Sequence, residues 1–324
     1  MRAAVCAEYG PPEVVRVEDV PSPELRPGQV RVAVHAAAVN FPDVLIVANQ
    51  YQVSSPLPFV PGSEFAGVVT EVGDGVDGLA VGDRVMGTLF VGAFAEEAVA
   101  AASSLTRIPD GVGFREASAF GVAHRTAYNS LRTVATLQPG EHVIVLGAGG
   151  GVGLAAVQCA VALGGVVTAV ASSPEKLAAA QALGATTLVN HRDGDLRAAL
   201  KAALPEGADV VIDPVGGSLA EPALRALRYG GRFVTIGYAA GEIPKIPLNL
   251  VLLKGVRIMG FEFMGFTGHE LDAMMRNETE LLALLAAGKA TPHVGATFPL
   301  AEAAAALRYV GDGHAIGKIV LDVA

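Results

Sequence analysis

Cysteine is nearly absent: Cys6 and Cys159 are the only two in 324 residues. They exclude a disulfide framework and a CxxC metal knuckle, and they suit a reducing cytoplasm. Positive charge is scarce as well, with 23 Lys and Arg against 32 Asp and Glu and a net charge of -9. The cations are scattered, which removes the electrostatic footprint of a nucleic-acid binder or of a protein drawn to anionic membranes. No long apolar run survives unbroken. Residues 143 to 171 carry no charge, but Gly147, Gly149 to Gly151, Gly153 and the pair Gly164 and Gly165 divide them into strand, helix and strand rather than a membrane span. The opening MRAAVCAEYGPP is interrupted by Glu8, Gly10 and two prolines and does not read as a signal peptide.

What the chain does have is length and two kinds of pattern. Its length suits two domains with a cleft between them. Up to about residue 110 it consists of short β-like runs, among them QVRVAVH with polar and apolar residues alternating, separated by turns rich in Gly, Pro and Asp. Residues 109 to 141 carry helical patterns. From His142 strand and helix alternate: HVIVL, GVGLAAVQCAVALG, VVTAVAS, SPEKLAAAQALG, TLVN, DLRAALKAALP, ADVVID, LAEPALRALRYGG, RFVTIG. In SPEKLAAAQALG, Ser173 reads as N-cap, Pro174 as the first helical residue and Gly184 as the stop. This alternation predicts an α/β chain with a doubly wound parallel sheet. After residue 265 the pattern is helical and ends in the strand-like IGKIVLDV, which is expected to return to the first domain. The expected division is therefore 1–123 with 265–324, and 124–264.

The sharpest chemical signal is VIVLGAGGGVGLAAVQ. Ala148, Gly150 and Gly153 keep an [A/G]xGxxG spacing after a strand and before a helix, the context in which the motif binds a dinucleotide. Gly150 admits a pyrophosphate, Gly153 admits the helix, and the first-turn residues Gly151 and Val152 offer free N–H groups. Sites that prefer NAD place an acid at the end of the second strand; Ala171 stands there, followed by Ser172, Ser173 and Lys176. Hydroxyls and a cation without a carboxylate suit a 2′-phosphate, so NADPH is the expected cofactor. The stretch PGSEFAG, in which Glu64 heads into an apolar run, reads either as half of a metal site or as a structural acid.

The succession AAAVNFPDVLIVANQY, PFVPGSEFAG, GDRVMG, RTAYNSL, LGAGGGVGLAAVQ, VVIDPVGG, GGRFVTIG, IPLNLVLLKG and GKIVLDV resembles the zinc-independent quinone oxidoreductase branch of the medium-chain dehydrogenases/reductases, over essentially the whole chain. The resemblance implies a GroES-like β domain completed by the C-terminal tail, a Rossmann domain, and NADPH in the cleft. It places Asn40, Asp43 and Tyr51 on the substrate side and Thr126 at the edge of the nicotinamide. It also carries His191, Val215, Gly237, Phe261 and Phe263 to the cofactor, and sets His314 where some relatives have an arginine. Leu45 replaces a tyrosine common in the family and makes the expected pocket more apolar.

Zinc-dependent members of the superfamily have a Cys ligand where this chain has Asn40 and a His ligand where it has Ser63. No thiol falls in residues 118 to 124, and the seven histidines show no ligand-like pairing. No metal is therefore expected, and Glu64 becomes a buried or half-buried acid in need of hydrogen-bond partners. Asn40 would donate to a carbonyl oxygen, Tyr51 would donate a proton or wall the pocket, and Asp43 would orient its neighbours. The expected activity is hydride transfer from NADPH to a quinone or another conjugated carbonyl compound. An enone or enoyl-thioester reductase, and an NADPH-binding sensor or structural protein without turnover, are the alternatives. A homodimer joined through residues 255 to 266 follows by analogy.

Overall fold

The computed structural model describes residues 1–324. Its contacts divide the chain into two compact units, Met1–Val122 with Pro292–Ala324, and Ala123–Thr291. The strands are β1 (Arg2–Cys6), β2 (Val15–Asp19), β3 (Gln29–Val39), β4 (Glu64–Val72), β5 (Arg84–Thr88), β6 (Glu97–Ala101) and β7 (Leu105–Arg107), then β8 (His142–Leu146), β9 (Val166–Ala171), β10 (Thr187–Asn190), β11 (Ala208–Asp213), β12 (Leu227–Thr235) and β13 (Arg257–Gly260), and finally β14 (Val294–Pro299) and β15 (Lys318–Asp322).

In the first unit β14, β15, β3, β4, β5 and β7 follow one another in a sheet, with β6 also paired to β3. The first half of β3 alternates as its sequence predicts, burying Val30, Val32 and Val34. From Ala36 onward every residue is buried, because β15 covers one side of the strand and β4 the other. Small alanines suit that crowded stretch, and Phe65, Phe94, Ile319 and Leu321 fill the core around it. Each such large side chain contributes about 1.5–3 kcal/mol on burial. The register sets Ala38 opposite Glu64, and Val39 opposite Ile319. Three chain positions thereby meet at one end of the sheet: Asn40 just after β3, Glu64 opening β4, and Lys318 opening β15.

The second unit is a six-stranded parallel sheet in the order β10-β9-β8-β11-β12-β13. This is the doubly wound order with its reversal between β8 and β11, where such folds bind nucleotides. The central strands β8 and β11 are buried throughout except at His142, and apolar apart from His142, Asp209 and Asp213. Ser173 caps the helix Pro174–Ala182 by accepting the Lys176 amide at 3.4 Å, and Gly184 ends it at φ +104°.

Two expectations are corrected. The helix read into LAEPALRALRYGG stops at Arg225, and Leu227–Thr235 forms β12 instead, because β12 must pair with both β11 and β13. The return to the first unit begins at Pro292 rather than near residue 265. The helix Leu271–Ala286 buries Ala273, Asn277, Leu281 and Leu285 on one stripe. It is tied to residues 125–133 by Arg125–Glu278 at 2.7 Å, by Tyr128–Glu280 at 2.6 Å, and by Asn277 donating to Asn129 and Thr133, each at 2.7 Å.

Candidate active site

The glycine-rich turn sits at the C-terminal end of β8. Gly150, in extended conformation, caps the helix Gly151–Ala162. A Cβ on Gly153 would stand 2.0 Å from the Gly147 carbonyl oxygen, so only glycine allows the helix to start this close to the strand. A Cβ on Gly149 would strike the stem of Lys176 at 2.4 Å, which shows that this lysine lies across the turn. Ala148 is buried and its amide donates to Val170. The other expected cofactor residues follow the ends of neighbouring strands at the same edge: Val215 after β11, Gly237 after β12, and Phe261 and Phe263 after β13. Asp213 holds the Val215 loop by accepting the amides of Val215 and Gly216 at 2.9 and 2.8 Å. Phe261 is buried, with its ring 6.4 Å from Phe263 and 5.2 Å from Phe266. Thr126 is buried on the helix Gly121–Asn129.

Beside the turn Ser172, Lys176 and His191 come together, since the His191 amide donates to the Ala171 carbonyl at 3.1 Å. Burial and the nearby Arg192 guanidinium depress the Lys176 pKa, and burial, Arg192 and Lys176 depress that of His191. Arg192 is a cation the sequence reading missed. It stands two residues beyond the end of β10, the strand edge next to β9. His314 belongs to the other unit, with its ring 5.7 Å from that of Tyr309.

At the opposite, N-terminal edge of the same sheet, a cavity of about 350 Å³ is lined by Arg197, Lys201, Arg225 and Lys254. Lys201, Arg225 and Lys254 occupy the last turns of three helices, where the negative dipole end accounts for basic side chains.

The first unit holds a buried polar cluster. Glu64 is 1% exposed and accepts from Lys318 Nζ at 2.7 Å, Asn40 Nδ2 at 3.0 Å and the Val122 amide at 2.8 Å. Its partners are thus an ammonium, a carboxamide and a main-chain N–H. Asn40 donates its second Nδ2 hydrogen to Ser63 Oγ at 3.1 Å, and its Oδ1 accepts from Lys318. Both carboxamide hydrogens are therefore engaged, and the expected direct bond from Asn40 to a carbonyl oxygen would have to displace one of them. Asp43 Oδ2 accepts the Asn40 amide at 2.7 Å, while its Oδ1 is buried without a hydrogen-bond partner. Burial pushes the Asp43 pKa up to about 7 against the lowering by the Asn40 amide, the Ser63 hydroxyl and Lys318. Tyr51 is half-buried against the apolar core, and Leu45 is likewise half-buried.

Residues 26–110 match the family described as alcohol dehydrogenase GroES-like domain, and residues 151–280 the family described as zinc-binding dehydrogenase. Quinone oxidoreductase-like protein 2 of Bos taurus is 39% identical over 324 residues, covering 99% of this chain and 92% of that protein. The chain belongs to the quinone oxidoreductase family of medium-chain dehydrogenases/reductases. The quinone oxidoreductase of Thermus thermophilus, solved also in complex with NADPH, superimposes with a TM-score of 0.86 at 34% identity, with 100% of both chains covered. The spectinabilin polyketide synthase system protein NorB of Streptomyces orinoci is 39% identical over 307 residues, 93% of this chain but 14% of that protein. Against the zinc-binding description of one family match, the cluster around Glu64 offers neither thiolate nor imidazole. It already holds an ammonium on the oxygens that a dication would take, so these residues do not fit a zinc ion.

Proposed function

We propose that this protein is an NADPH-dependent reductase that passes hydride to a quinone or another α,β-unsaturated carbonyl compound, and that it works without zinc. The observation that carries the reading is the buried cluster in which Asn40 binds Asp43 through its main-chain amide and Ser63 through its side chain, beside an ammonium whose charge disfavours a metal. The names of the quinone oxidoreductase relatives support the acceptor class.

Bound NADPH supplies the hydride. The turn from Ala148 to Gly153 would hold its pyrophosphate, and Ser172, Lys176, His191 and Arg192 would hold the 2′-phosphate, a charge that suits two cations, a hydroxyl and an imidazole that can take up a proton. As hydride arrives, negative charge grows on the acceptor oxygen. A hydroxyl can accept two hydrogens while giving its own. Ser63, accepting from Asn40 and standing beside the Asp43 carboxyl, is the group that donates to that oxygen when a protonated Asp43 gives its hydrogen to Ser63 in place of taking one from it. Asp43, still protonated near neutrality, then supplies the proton through Ser63 and recovers one from water. One NADPH, one acceptor and one proton give NADP⁺ and the two-electron-reduced acceptor.

The test is NADPH oxidation with quinones, enones and acyl-thioesters, run with and without a chelator. Turnover with quinones or enones that survives chelation is expected, and loss on chelation together with stoichiometric zinc would reject the reading. The polyketide synthase relative favours an enone or enoyl-thioester acceptor as the second reading, which predominant thioester turnover would select. NADPH binding without turnover on any acceptor would point to a sensor.

Two further expectations arise here. Lys176→Glu should abolish the preference for NADPH over NADH, and NADPH but not NADH should bind more tightly as pH falls through the imidazole range, since a phosphate favours protonated His191. Unchanged preference in the variant, or a flat NADPH dissociation constant, would count against the 2′-phosphate assignment. The exposed edge strand β13, with the exposed Leu248, Leu252, Leu253 and Tyr229 of the same unit, suits pairing with a second copy of this chain. Ile258→Lys should then convert a dimer to a monomer in sedimentation velocity, and a wild-type monomer would refute the pairing. A cytoplasmic setting suits the two free, buried thiols.

A further inference from the structure

We infer that Lys318 is a positioning residue for the reduction, acting by fixing which way the Asn40 carboxamide faces. This rests on the reading of Ser63 as the donor to the acceptor oxygen.

The orientation of a carboxamide is decided by its neighbours, because its two ends differ only in being donor or acceptor. An ammonium has donors alone, so the end of Asn40 that faces Lys318 Nζ must be the oxygen. The nitrogen is then turned toward Ser63 Oγ and Glu64 Oε1. Lys318 is itself held on three sides, by Asn40 Oδ1, by Glu64 Oε1 at 2.7 Å and by the Val39 carbonyl at 3.4 Å, and its side chain is 5% exposed. It can neither turn away nor exchange its partners for water. The consequence reaches Ser63. With the nitrogen of Asn40 toward it, the serine oxygen must accept there, and its own hydrogen is left to point elsewhere. With the amide reversed, the Asn40 oxygen would take that hydrogen, and Ser63 would offer an acceptor oxygen only its lone pairs. A residue 278 positions from Asn40 in sequence thus sets the polarity of the donor file.

Lys318→Met alone would strand the Glu64 carboxylate, so the test uses Lys318→Met with Glu64→Gln, in parallel with Asn40→Ala and with all three changes together. The expected result for the folded pair is a kcat lower by about tenfold or more, with the NADPH dissociation constant unmoved. In the Asn40→Ala background the pair should add no further loss, since there is no carboxamide left to misdirect. A merely structural role would lower kcat equally in both backgrounds, and that outcome overturns the inference, as does an undiminished kcat in the pair. Should Asn40→Ala itself turn over normally, the donor file fails and the role of Lys318 fails with it; full loss in Asn40→Ala with none in the pair removes the role of Lys318 alone. If the pair does not fold, Lys318→Arg serves, because a guanidinium also has donors alone. Partial retention of turnover is expected there, and a folded Lys318→Arg protein as slow as Asn40→Ala overturns the inference.

Discussion

Glu64→Ala should lower the stability of the protein by about 3–5 kcal/mol, the usual consequence of removing one member of a buried ion pair. The substitution leaves an ammonium, a carboxamide N–H and the Val122 amide without their acceptor at a site closed to water. The attraction within the pair is not the whole effect; most of it comes from the uncompensated Lys318 charge, since a lone buried ion costs more than a matched pair contributes. Denaturant midpoints of the wild type and variant measure it. A loss below about 1 kcal/mol, the range of an exposed pair, would mean that the cluster is wetter than its geometry shows.

Asp43→Asn is expected to reduce turnover by about a hundredfold, because a carboxamide cannot supply the proton that the reduction consumes. In the wild type turnover should fall as pH rises past about 7, where Asp43 gives up its proton, and the variant should lack that limb. Stability provides an independent check. The folded carboxyl keeps its proton up to about 7, whereas the unfolded one releases it near 3.8. Between those values the folded state binds more protons, so the contribution of Asp43 to stability is full below the lower value and is lost as pH rises through the upper one. The variant carries no charge in either state, so its advantage over the wild type should grow from acid to neutral pH. Parallel stability curves for the two proteins, or an unaltered pH–rate profile, would reject the assignment of Asp43 as a protonated acid.

The strands were legible in the sequence where pattern and punctuation agreed. HVIVL and ADVVID became β8 and β11 without revision, and QVRVAVH fixed the face of β3. The failures have physical causes. LRYG continues a helical pattern, yet the pairing of β12 with two neighbours overrides that local preference. The stripe of Leu271–Ala286 announces a helix but not which unit it packs on, which depends on Arg125, Asn129 and Thr133 far upstream. Glu64 could be read as buried because FAGVV follows it, but its counter-ion could not. Lys318 opens an apolar strand 254 residues later and looks like a solvent-facing strand end. Arg192 was overlooked for a similar reason, as a cation in an ordinary polar loop whose relation to Lys176 appears only when β9 and β10 lie side by side.

The placement of β15 against β3 also bears on the order in which the protein matures. The six strands of the sheet that carries the glycine-rich turn follow one another between His142 and Gly260 and can pair among themselves as they are made. The sheet of the first unit cannot be finished until residues beyond 318 arrive to lie beside a strand that ended at residue 39. Contacts of such long range are slow to form. Newly made chains should therefore acquire a dinucleotide site before they acquire the chemistry that uses it.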